Sequence, residues 1–168
     1  MKIAFPLLVV CLLVGACAPQ SAAASSADCP VTQPAKQPFS LPKGYQGTRS
    51  EPYPGKFWYG SPGLWTMLPE DGIWAQLPRD EHGFTQKIFW WADGYDWIED
   101  PMPEFRLTGE RLDGKAPRID SREATNANTS ETGSSILTGI LIPTAGCWRI
   151  TGEYQGAELS FVVSVEEP

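Results

Sequence analysis

The sequence predicts an all-β domain built as an antiparallel sandwich or barrel, and three observations carry that prediction. No long window shows a helical period of apolar residues; the chain breaks instead into short segments between Gly, Pro and Asp signals. Gly and Pro supply 16 residues each, a density of turn formers too high for a helical bundle. The C-terminal end reads as two alternating runs joined by Gln155-Gly156, a hairpin signal. With 42% hydrophobic and 20% charged residues the chain is mostly globular. Its 168 residues allow one domain with processing and linker segments.

The elements follow in chain order. Met1-Lys2 is a short positive start, Ile3 to Val14 is apolar and uncharged, and Gly15-Ala16-Cys17 closes the run. This is the layout of an export signal. The run is short of the about 20 apolar residues that a permanent membrane span needs. Leu13-Val14-Gly15-Ala16-Cys17 resembles the bacterial lipobox, with ordinary signal cleavage nearby as the alternative. The resemblance implies that residues 1–16 are a signal peptide and that Cys17 becomes a lipidated N-terminus. Two or more acyl chains would then hold the protein on a membrane that it does not cross. Ala18 after the cysteine, in place of Asp, favours the outer membrane where a cell has two. Residues 18–28 are small and polar and read as a flexible tether. The lipidated cysteine and tether are assigned to 17–35 and the folded domain to 36–168.

Cys11 lies in the apolar run and Cys17 takes lipid, which leaves Cys29 and Cys147. Outside the cytoplasm a remaining even pair is usually a disulfide, with two free thiols as the alternative. The bond would close a loop of over 100 residues and contribute roughly 4–5 kcal/mol in the chain-entropy model.

Strands are expected near 56–60, 64–68, 72–77, 84–91, 104–112, 135–142, 146–154 and 157–165. In the last of these Leu159, Phe161, Val163 and Val165 alternate with mostly polar residues, as in a half-buried strand. In the run before it Trp148 and Ile150 share one face. Cys147, Arg149 and Thr151 share the other, so the cysteine points away from the core, towards an N-terminal segment lying outside the sheet. Residues 117–134 are polar and without pattern, and read as a long loop. The Asn128-Thr129-Ser130 sequon within it is a chance match.

Several blocks carry a wider resemblance: Cys29-Pro30-Val31-Thr32, Gly63 to Gly72, Phe89-Trp90-Trp91, Leu107 to Gly114 and Pro143 to Gly152. Together they are similar to a family of uncharacterised bacterial lipoproteins and secreted proteins, over about 29–165. The Pro143-Thr144-Ala145-Gly146-Cys147-Trp148 block also resembles the late strand-turn-strand of bacterial immunoglobulin-like domains. The resemblance implies an immunoglobulin-like antiparallel β-sandwich behind a lipoprotein signal peptide and tether. It implies an exported address, on the outer face of the cell or in the periplasm, and no catalytic residues.

The residues themselves offer little chemistry. Acidic side chains outnumber basic ones 20 to 13, so nucleic acid is a poor partner. His82 is the only histidine, set in a turn, which excludes multi-histidine metal sites. No Gly-x-Ser-x-Gly elbow, His-Glu-x-x-His, phosphate loop or dinucleotide fingerprint is present. The acid pairs Glu70-Asp71, Asp80-Glu81 and Glu99-Asp100 read as solvated turns. The acidic run Asp93 to Asp100 lacks EF-hand spacing. No metal and no cofactor is expected.

Aromatic density is the unusual feature. The chain has 7 Trp, 7 Phe and 5 Tyr, and most lie between Tyr53 and Trp97. Alternation in 84–91 puts Phe84, Gln86, Ile88 and Trp90 on the core face. It leaves Phe89 and Trp91 on the outer face, with Trp97 just beyond. That outer patch has three explanations: a cover formed by residues 36–60, a partner protein, or sugar rings stacked on the aromatics. Phe89, Trp91 and Trp97 are the candidate ligand-binding residues. The leading expectation for function is a non-enzymatic, lipid-anchored envelope protein that binds, senses or scaffolds, attached to the membrane through lipid on Cys17. A carbohydrate-binding module and an immunoglobulin-like protease inhibitor are the alternatives.

Overall fold

Each of the eight expected strand segments contains a strand in the computed structural model, which describes residues 29–37 and 39–168. The segment expected to be a signal peptide, residues 1–16, and with it Cys17 and residues 18–28, lie outside the described residues. The strands are β1 (Lys56–Ser61), β2 (Leu64–Pro69), β3 (Ile73–Trp74), β4 (Arg79–Asp80), β5 (Gly83–Trp91) and β6 (Phe105–Arg111), then β7 (Ile119–Ser121), β8 (Ala124–Thr129), β9 (Gly133–Ile142), β10 (Gly146–Tyr154) and β11 (Ala157–Val165). Among the described residues there is no helix.

The strands form two sheets. Sheet one runs β1-β2-β5-β9-β8, with β4 also pairing β5. Sheet two runs β3-β11-β10-β6-β7. All pairings are antiparallel except β3 with β11. The β10–β11 hairpin turns through Gln155 and Gly156 at φ 46° and 80°. Positive φ at both central residues matches the right-handed twist of the flanking strands.

One apolar core lies between the sheets, as in a β-sandwich. Sheet one contributes Leu64, Leu68, Phe84, Ile88, Trp90, Ile136, Ile140 and Ile142; sheet two contributes Phe105, Leu107, Trp148, Ile150, Phe161 and Val163. Trp90 sits at its centre, fully buried, with ring centroids 5.0 Å from Phe105 and 5.8 Å from Phe161. Its indole N–H donates to Thr138 Oγ1 at 3.0 Å, so the ring carries no orphaned donor into the core. Gly152 makes room for it, since a Cβ there would lie 2.7 Å from the Trp90 ring.

Residues 117–134 are not one long loop. They hold β7, the edge of sheet two, and β8, the edge of sheet one. Both strands are largely solvated, with burial patterns that lack the alternation of β11. An edge strand is fixed by its ladder, and its polar side chains hide it from a search for apolar periodicity. Within 17–35, read as tether, Thr32 donates its N–H to Val162 O at 2.9 Å and accepts from Val162 N–H through Oγ1 at 2.8 Å. At Thr32 the segment lines the side of β11 away from β10, and at Cys29 it lies over the outer face of the sheet, within bonding distance of β10.

Candidate functional site

The outer face of sheet one is a second aromatic layer. Trp65 on β2 and Trp91 on β5 are cross-strand partners, and Trp58 on β1 stands beside them. Trp58 and Trp91 meet edge to face at 5.1 Å and 86°. Phe39, Leu41 and Tyr45 pack over this cluster from a strap, residues 39–53, that precedes β1. The strap is tied to the β8–β9 turn by backbone bonds, Thr48 N–H to Ser130 O at 3.2 Å and Arg49 N–H to Glu131 O at 2.9 Å. The Glu131 carboxylate accepts from Tyr53 Oη at 3.0 Å and from Arg49 at 3.1 Å. These two bonds, the tyrosine first, hold its carboxyl below the usual range. Trp91 donates through its indole Nε1–H to Thr132 O at 2.8 Å, and Trp58 through its indole Nε1–H to Ser50 O at 3.0 Å. Trp65 Nε1 is the one buried side-chain polar atom without a partner among the described residues.

This geometry sorts the candidate residues. Trp91 faces outward from the inter-sheet core as alternation requires, yet it is only 2% exposed and is not available to a ligand. The strap is the cover, the first of the three explanations. Phe89 is 39% exposed, stacked beside Trp91 at 6.3 Å. It borders a pocket of about 300 Å³ with Tyr53, Lys56, Met67 and Lys87. Trp97 is half-buried against the inter-sheet core and does not join Phe89. The three residues therefore form no common surface.

Cys29 and Cys147 are bonded, with Cα atoms 5.4 Å apart and a sequence separation of 118. Cys147 stands opposite Ser164 across the β10–β11 ladder, on the face away from the inter-sheet core. The motif-like block around it is explained by packing. Gly146 takes φ 137°, and a Cβ there would lie 2.7 Å from Arg111 Nε. That guanidinium bonds Asp113 at 2.7 Å and Thr144 Oγ1 at 3.1 Å. Burial opposes charge on Asp113, but Arg111 and the Cys147 backbone outweigh it and lower its pKa. The Trp148 indole Nε1–H reaches back to donate to Thr144 O at 3.0 Å.

The segment Ala92–Glu104 carries the chain from sheet one to sheet two. Tyr95 is buried and donates to Asp100 O at 3.0 Å; Tyr154 donates to the Asp100 carboxylate at 3.0 Å. Burial first, then the charges of Asp100 and Asp96, push the Tyr95 hydroxyl up to about 12. Tyr154 is raised in the same way, by burial and by its bond to Asp100. Asn126 of β8 donates to Trp97 O at 2.6 Å, and Asp96 Oδ1 accepts from Ile98 N–H at 2.7 Å. Both sheets thus hold one loop. Its Ile98 and Met102 are 69% and 73% exposed, the most exposed large apolar side chains described. Sequence reasoning passed over them; the available signal was two apolar residues placed singly among Asp, Glu and Pro.

His82 is exposed in its turn, with Nε2 3.7 Å from Glu81. Among the described residues no group of three or more His, Cys, Asp or Glu is arranged to hold a metal ion. No family model, curated protein or solved structure matches the chain.

Proposed function

We propose that this is an exported, lipid-anchored cell-envelope protein whose immunoglobulin-like sandwich is a non-enzymatic binding or scaffolding module. The observation that carries the reading is the Cys29–Cys147 bond. Such a bond persists in an oxidising compartment, and it stands just after a segment that reads as signal, lipid site and tether. Lipid on Cys17 supplies the membrane contact, and the tether carries the domain away from it. The immunoglobulin-like assignment is supported by two largely antiparallel sheets around one core, with a buried Trp148 on the inner strand β10. The disulfide differs from that of antibody domains, since it staples an edge segment rather than joining the sheets.

The non-enzymatic reading is supported by where the perturbed groups sit. Tyr95, Tyr154 and Asp113 brace loops, and Glu131 holds the strap. A sugar platform is weakened by the burial of Trp91, which leaves Phe89 as the open ring of that pair. The test of the anchor is Cys17→Ser, followed by fractionation and mass measurement. The expected result is release to the soluble fraction, or an unprocessed precursor without diacylglycerol. A variant that stays with membranes and keeps the same lipid mass overturns the proposal.

A further inference from the structure

We propose that the Ala92–Glu104 loop is a docking element whose Ile98 and Met102 side chains enter an apolar pocket, rimmed by Lys and Arg, on a second protein. The proposal rests on the reading of this domain as a binding module and adds the site and the chemistry of its partner. Ile98 and Met102 cannot fold inward, because the loop around them is fixed from both sides. Asn126 of sheet one bonds Trp97 O, and Tyr154 of sheet two bonds Asp100. Backbone bonds from Asp100 N–H to Asp96 O at 3.0 Å and from Phe105 N–H to Pro103 O at 2.8 Å set the turns between. A loop held in one shape loses little conformational freedom on association, so its apolar side chains act as ready anchors. Interfaces are built on a few such anchors surrounded by polar contacts.

Charge selects the partner. Residues 92–104 contain Asp93, Asp96, Glu99, Asp100 and Glu104 and no Lys or Arg. Asp93 before the two anchors, Glu99 between them and Glu104 after them are all exposed. An acidic rim around apolar anchors is repelled by an anionic lipid surface and is complemented by a basic rim around an apolar pocket. A second copy of this chain is disfavoured in the same way, since its net charge is −7.

The test places a photo-crosslinking benzoyl-phenylalanine at 98, at 102, and at the exposed Lys115 position beyond the other end of β6, in the full chain in its native envelope. The expected result is one protein adduct shared by 98 and 102, at least tenfold weaker at 115, mapping to a surface with apolar and Lys or Arg residues. Glu99→Lys with Glu104→Lys should lower the adduct at 98 at least fivefold, with the melting temperature unchanged. Adducts to lipid or to a second copy overturn the proposal, as does a yield indifferent to charge reversal or a mapped surface without basic residues. Protein adducts at 115 alone overturn the site and leave the binding-module reading standing. No adduct at any position overturns both.

Discussion

Trp90 and Trp91 are neighbours in β5, both hidden from solvent, and different parts of the chain hide them. Trp90 is enclosed by two sheets and touches Phe105 and Phe161 across the sandwich. Trp91 is enclosed by its own sheet on one side and a strap on the other. The first layer is strand against strand, where every wall is held by a ladder. The second is strand against loop, where one wall is held by a few bonds to the 130–134 turn. Equal burial therefore does not mean equal rigidity. The inter-sheet layer cannot open without unfolding; the outer layer can lift locally, since local opening needs only the strap's own contacts to break.

The largest expected effect separates the layers directly. Trp90→Ala should cost about 3–5 kcal/mol, because neither sheet can collapse into the space left behind. Urea unfolding followed by far-UV circular dichroism reads this. A cost below that of Trp91→Ala would reverse the two layers. The disulfide comes next, since it holds the segment that leads into the strap. Reduction should cost about 2–5 kcal/mol. Thiol labelling of the unfolded, unreduced domain should find neither cysteine, whereas two labelled thiols per chain would remove the bond from the account. Trp91→Ala should cost less than Trp90→Ala, about 2–3 kcal/mol, because the strap can settle into part of the gap. It should also speed proteolysis within 39–53, and an unchanged cleavage rate there would mean that the strap does not depend on Trp91.

The smallest effect depends on pH. The folded pKa of Glu131 is lowered from its ordinary 4.5 by Tyr53 and Arg49. Its contribution is therefore full above that value and lost as pH falls through the folded one. Hydrogen exchange at Thr48 and Arg49, corrected for intrinsic rate, should quicken on acidification while exchange at Trp90 does not. Glu131→Gln should flatten the dependence. Equal responses at the two places would make the layers one cooperative unit.

Much of this arrangement was legible in the sequence, for a physical reason. A strand with one buried face must alternate, so β5, β10 and β11 announced themselves and separated Trp90 from Trp91. β7 and β8 did not, because edge strands rich in Ser, Thr and Asn are held by their backbones. The strap was open in the sequence as one of three covers for the outer face. Phe39, Leu41 and Tyr45 follow no period, and what they cover is set by tertiary contacts. Ile98 and Met102 were illegible for the opposite reason: local pattern does not reveal that an apolar residue has been left in solvent.

The staple at Cys29 also sets how mechanical load would travel through the domain. A pull applied N-terminal to Cys29 passes through sulfur into β10, which is flanked by β11 and β6 along its length. The strap and all of sheet one lie within the covalent loop between residues 29 and 147, off the line of force. Tension at the N-terminus thus enters the molecule at its best-laddered strand. The outer aromatic layer, the easiest part to peel, is left slack.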